Sequence, residues 1–160
     1  MKTVSTGLVM FAGLLAAPLG TPAEKPTSPT TSEDPRLVRL QEFFGSNACP
    51  ALRFAADFIE AADNNDLDWR LLPSISYLES GGGKAYRNNN ILGWGNGKER
   101  FNSIRAGIHA VAERLSTSPL YRDKSVDEIL RTFNPEHRDY VARVKSVMRQ
   151  IARYEILAMN

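Results

Sequence analysis

The stretch LPSISYLESGGGKAYRNNNILGWGNG, Leu72 to Gly97, joins the end of an apolar helix to a long polar loop. Leu72, Ile75 and Glu79 share one face at helical spacing, which puts the glutamate at the edge of the buried face. Three glycines starting at Gly81 end the helix, because glycine adopts the left-handed backbone that closes a helix without steric cost. The stretch therefore predicts a lone carboxylate at a helix end, facing a loop of glycine, asparagine and tryptophan.

Helical periodicity continues on both sides of this stretch, and strand-like alternation is nearly absent from Arg36 onward. Capping signals support the pattern. Ser125 with Glu128 three residues later predicts a capping box, and Asn134 followed by Pro135 predicts the start of the last helix. We expect an all-α fold, α-rich α+β at most, with about six helices and one long non-helical loop after the central helix.

Two N-terminal segments differ in composition from the helical part. In residues 1–23 one charged residue, Lys2, precedes an uncharged apolar run, and small residues suited to a cleavage site follow. This is the order of a secretory signal peptide. An uncleaved anchor is the alternative, although the run barely reaches the length of a bilayer span. Residues 24–35 are rich in proline, threonine and serine and predict a disordered spacer. We expect a domain at residues 36–157, secreted or periplasmic, with no stable membrane span after signal removal.

Charge and cysteine content exclude several classes of protein. The formal net charge is +2 and the pI is about 8.8, whereas a nucleic-acid-binding protein carries a denser basic patch. We therefore expect no nucleic acid partner.

Cys49 is the single cysteine, so it has no internal disulfide partner and is predicted to be buried. Because His109 and His137 are far apart in sequence, no metal site and no cofactor are predicted.

The loop after Glu79 carries groups suited to a carbohydrate. Aromatic side chains offer flat faces for a pyranose ring, at Tyr86 and Trp94. Three asparagines offer amide donors and acceptors for sugar hydroxyl and N-acetyl groups: Asn88, Asn89 and Asn90. General-acid cleavage of a glycosidic bond requires a protonated carboxylic acid, and partial burial at a helix C-terminus favours that form. Glu79 is therefore the candidate acid. The alternative is a solvated glutamate followed by ordinary turn formers.

The chain resembles bacterial peptidoglycan N-acetylglucosaminidase domains of the flagellar and autolysin type, which are glycoside hydrolase family 73-like members of the lysozyme-like superfamily. The resemblance runs from about Leu67 to Ile151, through the stretch quoted above and then FNSIRAGIHAVAERL, PLY and FNPEHRDYVARVKSVMRQI. It implies a lysozyme-like helical domain with a short Gly/Asn loop lobe, and Glu79 as general acid. It also implies cleft residues at Asn89, Asn90 and Gly93, which match the family's asparagine-glycine loop, and at Tyr140, which matches its tyrosine at the start of the last helix. Asn88 and Trp94 are expected substrate contacts from their own side chains.

The sequence departs from this family at the second carboxylate. Such domains often carry one on a β-hairpin lobe, whereas here only GWGNGKERF separates Gly93 from the next helix, and Glu99 is the carboxylate available there. Glu99 is either a second catalytic group or a surface charge. Three routes stay open: Glu99 activates a water, the substrate's 2-acetamido group attacks, or a sugar 6-hydroxyl attacks as in a lytic transglycosylase.

The expected function is that of an exported peptidoglycan hydrolase. This glycosidase would cut β-1,4 bonds of the glycan strand as an endo-N-acetylglucosaminidase, or as a lytic transglycosylase if cleavage is non-hydrolytic. The expected partner is the peptidoglycan glycan strand. The alternative is a non-catalytic peptidoglycan-binding or scaffolding module with a degenerate cleft, which the short loop lobe favours.

Overall fold

The computed structural model of the protein describes residues 34–154, so the predicted signal peptide and residues 24–33 of the predicted spacer lie outside the described residues. The described chain forms six α-helices and one short 3₁₀ helix and contains no strand, which confirms the all-α prediction. In chain order these are α1 Pro35–Ser46, the 3₁₀ helix Pro50–Phe54, α2 Ala55–Asp63, α3 Leu71–Ser80, α4 Ile104–Thr117, α5 Val126–Phe133 and α6 Tyr140–Arg153. None of the helices in this part of the chain is long and apolar enough to cross a bilayer.

Capping side chains set where two of these helices begin. Asp34 accepts a hydrogen bond from the Arg36 amide at 2.8 Å, and Pro35 occupies the first helical position, so α1 starts just before the predicted domain boundary. At α5 the predicted capping box is confirmed. The Ser125 hydroxyl accepts from the Glu128 amide, while the Glu128 carboxylate accepts from the Ser125 amide at 2.9 Å.

The predicted start of the last helix at Pro135 is wrong. Asn134 instead ends α5, with its amide donating to the Leu130 carbonyl. Its side-chain oxygen lies 2.9 Å from His137 Nδ1 and is therefore not available to cap a following helix. The chain then turns once more before α6 begins at Tyr140. This shift matters because it makes Tyr140 the first residue of its helix.

The central helix α3 is buried along most of its length. Leu71, Leu72 and Ile75 have no exposed surface, and α3 packs against α6 and α2. Burial of each such side chain stabilises the fold by about 2 kcal/mol. The predicted burial of Cys49 is confirmed, at 4% exposure, and burial raises the pKa of its thiol. This packing fixes the C-terminal end of α3, where Glu79 lies.

The segment between α3 and α4 is the predicted long non-helical loop. Ser80, in the last turn of α3, ties the loop back to the helix. Its buried hydroxyl donates to the Ile91 carbonyl at 2.7 Å and accepts from the Gly83 amide at 2.9 Å. Ile91 and Leu92 are buried at 2% and 1% exposure. The loop is therefore anchored into the core by its middle and folds back over the end of α3.

Candidate active site

Glu79 is held between two helices. It occupies the last turn of α3 and is partly buried. The hydroxyl of Tyr140, the first residue of α6, donates to Glu79 Oε1 at 2.7 Å. Tyr140 is itself only 3% exposed, so its hydroxyl has little freedom. This bond fixes the orientation of the carboxyl group.

Tyr140 stays a hydrogen-bond donor over the whole physiological pH range. Burial raises the pKa of Tyr140 well above its ordinary value, and the adjacent Glu79 carboxylate raises it further. The ring also stacks on Phe133 of α5, with centroids 6.0 Å apart and planes 5° from parallel. The last helix therefore supplies a rigid, protonated phenol beside the candidate acid.

The loop backbone closes on Glu79 at Gly93. This glycine has φ +67°, and a Cβ atom there would lie 2.5 Å from Glu79 Oε2 and 2.9 Å from Glu79 Cγ. Real Cβ atoms essentially never approach other heavy atoms that closely. Glycine at position 93 therefore adopts the left-handed backbone without steric cost and also lets the loop approach the Glu79 carboxyl group closely. Sequence analysis placed Gly93 in the cleft, and the structure brings it into contact with the candidate acid.

Asn90 organises the loop from within. It is buried at 4% exposure. Its Nδ2 donates to the Trp94 carbonyl at 2.8 Å and the Glu99 carbonyl at 3.3 Å, and its Oδ1 accepts from the Trp94 amide at 3.0 Å. Both amide hydrogens are therefore used by the backbone. The group expected to donate to a sugar instead sets the position of Trp94.

Asn88 and Asn89 form the turn that precedes Asn90. Asn88 and Asn89 both have a left-handed backbone, with φ values of +56° and +57°, which asparagine tolerates better than most residues. Asn89 Nδ2 donates to the Phe101 carbonyl at 2.9 Å. Asn88 lines the open cavity beside Glu79, and its Nδ2 lies 3.5 Å from the Lys98 carbonyl. Of the three amides, that of Asn88 is the most available to a ligand.

Two cavities meet at Glu79. The larger has a volume of about 780 Å³ and the smaller about 230 Å³. Both are lined by Glu79, Gly93 and Asn96. The larger is also lined by Ala85, Tyr86, Arg87, Asn88, Asn90, Gly97 and Lys98, and the smaller by Trp94, Gly95, Tyr121, Phe133 and Asn134. The carboxyl group therefore lies where the two cavities join, with open space on either side.

Trp94 belongs to an aromatic cluster in the smaller cavity. Its ring centroid lies 5.6 Å from that of Tyr121 and 5.8 Å from that of Phe133. The Arg114 guanidinium lies 5.6 Å from the same ring. Sequence reasoning missed Phe133, because an aromatic residue at the end of an apolar helix face is indistinguishable from a core residue. In the larger cavity the flat face comes from Tyr86, which is 45% exposed.

Glu99 is engaged elsewhere. Its Oε1 accepts a hydrogen bond from Arg114 Nη2 at 2.8 Å. Glu99 is not among the residues that line either cavity beside Glu79. Within the described chain, Glu79 is thus the single carboxylate on the walls of these two cavities. Of the other predicted site residues, Gly93 and Tyr140 contact Glu79. Asn88, Asn90 and Trp94 line the cavities beside it. Asn89 lines neither cavity, and the Glu99 carboxylate pairs with a neighbouring arginine.

One group of side chains has the composition of a metal site. Asp57 and Glu60 of α2 and His109 of α4 bring one potential ligand atom each within 4.8 Å of one another. Arg105 already bonds the buried Asp57 carboxylate, and its positive charge competes with a cation there. The sequence prediction of no metal site rested on the separation of His109 from His137 and did not consider these two carboxylates, which lie about fifty residues before His109.

Comparison with protein-family models, with curated proteins and with solved structures gives no match for this chain.

Proposed function

We propose that the protein cleaves the glycan strand of peptidoglycan, with Glu79 as the general acid. One observation carries the proposal: an oriented, partly buried carboxyl group lies where two cavities meet. An enzyme that cuts inside a polymer needs binding space on both sides of the acid. The larger cavity, at about 780 Å³, falls within the range of about 300–1,000 Å³ typical of ligand sites.

The proposed mechanism uses the two oxygens of Glu79 differently. Tyr140 holds Oε1, and Oε2 faces the Gly93 side of the site. Oε2 donates its proton to the oxygen of the scissile glycosidic bond as that bond breaks. The resulting carboxylate later accepts a proton from an O–H group that attacks the anomeric carbon, which is either the sugar's own 6-hydroxyl group or the water that opens the ring formed by the 2-acetamido oxygen. Tyr140 stabilises the carboxylate formed in the first step, since a hydrogen bond to a charged acceptor is stronger than one to a neutral acceptor. A glucosaminidase of the lysozyme-like superfamily is the class this arrangement fits.

The position of Glu99 bears on the attacking group. A water-activating carboxylate has to face the site, and Glu99 pairs with Arg114 outside both cavity linings. This favours attack by the substrate's own 2-acetamido group, or by a sugar 6-hydroxyl group as in a lytic transglycosylase. The same observation supports the second candidate function, a non-catalytic peptidoglycan-binding module that retains the cleft.

Mass analysis of fragments released from purified peptidoglycan tests the proposal. We expect soluble muropeptides from the wild-type protein and none from Glu79→Gln. A reducing N-acetylglucosamine end identifies a glucosaminidase, a reducing N-acetylmuramic acid end a muramidase, and an anhydro end a transglycosylase. If neither protein releases fragments and both bind peptidoglycan equally, the enzymatic function is wrong and the binding-module function is right.

A further inference from the structure

A third cavity, rich in basic side chains, lies along α5, α6 and their connection. Its volume is about 780 Å³. The charged side chains of its lining are Arg131, Arg138, Lys145, Arg149 and Asp127. Four positive charges and one negative charge give this lining a formal charge of +3, with His137 counted as neutral. We call this surface the basic groove. Its apolar floor comes from Pro135, Val141 and Ala142.

Two of these arginines are available for a ligand. Asp127 is engaged by Lys145 Nζ at 2.8 Å and by Arg131 Nη2 at 3.8 Å. Arg138 and Arg149 are exposed and form no ion pair with any residue in the range 34–154. An acidic ligand would therefore meet two guanidinium groups whose charge the protein does not neutralise. Arginine binds carboxylates through two parallel hydrogen bonds, which suits such a ligand.

The basic groove borders the smaller cavity beside Glu79 at one residue. Asn134 lines both the basic groove and the smaller cavity. A ligand that extended past Asn134 from the smaller cavity would therefore meet the groove next. The shared residue favours one branched ligand occupying both surfaces over a second, unrelated polymer on the groove.

The spacing of the basic groups fits an extended peptide. Lys145 and Arg149 lie one helical turn apart on α6, and four residues of helix rise about 6 Å. Alternate residues of an extended peptide lie about 7 Å apart. Carboxylates two residues apart on such a peptide can therefore reach Arg149 and Lys145, and Lys145 then shares its charge between the peptide and Asp127.

We propose that the basic groove binds the carboxylate-bearing peptide that branches from the glycan strand cleaved at Glu79. This inference rests on the proposed function, because peptidoglycan is the polymer that joins a neutral sugar backbone to short acidic peptides. The glycan strand occupies the two cavities beside Glu79, and the peptide passes Asn134 to reach Arg138 and Arg149. The groove thereby makes the protein selective for strands that still carry their peptides.

Calorimetric binding to two soluble ligands tests this inference. One ligand is a glycan oligomer with its peptides. The other is the same oligomer after enzymatic removal of the peptides, with the sugar carboxylates that this hydrolysis exposes converted to methyl amides. All proteins are full-length and carry Glu79→Gln, so that the ligands stay intact. The test variant adds Arg138→Gln with Arg149→Gln. The matched control adds Arg122→Gln, an exposed arginine that does not line the groove.

We expect the double arginine variant to bind the peptide-bearing oligomer about fivefold more weakly than the parent, as two exposed ion pairs predict. Its affinity for the stripped oligomer should equal that of the parent, and the control should match the parent on both ligands. An equal loss on both oligomers, or no loss, overturns the inference. So does arginine-dependent binding of poly(glycerol phosphate) that is tighter than binding of the peptide-bearing oligomer, because the occupant is then a separate phosphate polymer.

The proposed function can fail separately. If the wild-type protein releases no fragments from peptidoglycan while the arginine-dependent preference for the peptide-bearing oligomer persists, the inference stands and the catalytic function is wrong. If the parent binds neither oligomer, both are wrong. Circular dichroism of the double variant should match the parent, since both arginines are exposed.

Discussion

Substitution of Gly93 by alanine separates the two constraints on this residue. The first is backbone strain, since a left-handed backbone costs a residue with a side chain about 1–2 kcal/mol. The second is the contact with Glu79, whose Oε2 would lie 2.5 Å from the new methyl group. To relieve it, Glu79 must rotate away from Tyr140 or the loop must move. Loss of the Tyr140 hydrogen bond costs a further 1–3 kcal/mol, roughly.

Gly81→Ala is the matched control. Gly81 has φ +63°, and a methyl group there would meet only the flexible Lys84 side chain, at 3.4 Å. We expect Gly81→Ala to lower the free energy of unfolding in urea by about 1.5 kcal/mol and Gly93→Ala by about 3 kcal/mol. Activity on peptidoglycan should fall about 100-fold in Gly93→Ala, as displacement of a catalytic group by about 1 Å does. In Gly81→Ala it should stay within about threefold of wild type.

The refuting result is equality between the two variants. If Gly93→Ala and Gly81→Ala lose the same stability and retain the same activity, contact between the loop and the Glu79 carboxyl group has no functional role. Any loss of activity that the two variants share would then follow from the strained backbone and not from a displaced Glu79 carboxyl group.

Three further substitutions test separate contacts. Because the folded state raises the pKa of Tyr140 above its ordinary value of 10.0, the unfolded chain releases this proton first. The free energy of unfolding should therefore fall with rising pH above about 10, by at most about 1.4 kcal/mol per pH unit. In alkaline urea titrations, Tyr140→Phe should lack the share of this fall that comes from Tyr140. Identical pH slopes for the two proteins would contradict the raised pKa of Tyr140. Ser125→Ala removes the capping box with Glu128. It should lower the melting temperature by about 4 °C, which corresponds to about 1 kcal/mol. An unchanged melting temperature would show that the cap is dispensable. Asn90→Ala leaves the Trp94 backbone amide and carbonyl without their hydrogen-bond partners. It should lower the free energy of unfolding by about 2 kcal/mol and shift tryptophan fluorescence to the red. A stable variant with an unchanged spectrum would refute the role of Asn90 in the loop.

Local signals in the sequence predicted much of the fold. The apolar spacing of α3 and the glycines after it placed Glu79 at a helix end, because both signals act within one or two helical turns. The capping box at Ser125 is equally local. Burial of Cys49 followed from its being the single cysteine. None of these predictions required knowledge of how distant segments pack.

The errors and omissions all depend on contacts between distant residues or on competition for one side chain. Asn134 looked like a helix cap, but His137 binds its side-chain oxygen while its backbone closes α5. At Glu99 the sequence left a catalytic group and a surface charge both open, because its pairing with Arg114, fifteen residues away, gives no local signal. Phe133 carried no signal of its own, and only the packing of α5 beside Trp94 makes it part of the site.

The rate of peptidoglycan solubilisation by two matched glutamate variants tests the central claim most directly. Glu79→Gln and Glu99→Gln each remove one carboxylate from the same region of the chain. We predict that Glu79→Gln loses at least about 100-fold in rate, as loss of a general acid does, and that Glu99→Gln stays within about threefold of wild type, as a partly exposed ion pair predicts. Wild-type rates from Glu79→Gln, or a greater loss in Glu99→Gln, would contradict the assignment of Glu79 as the acid.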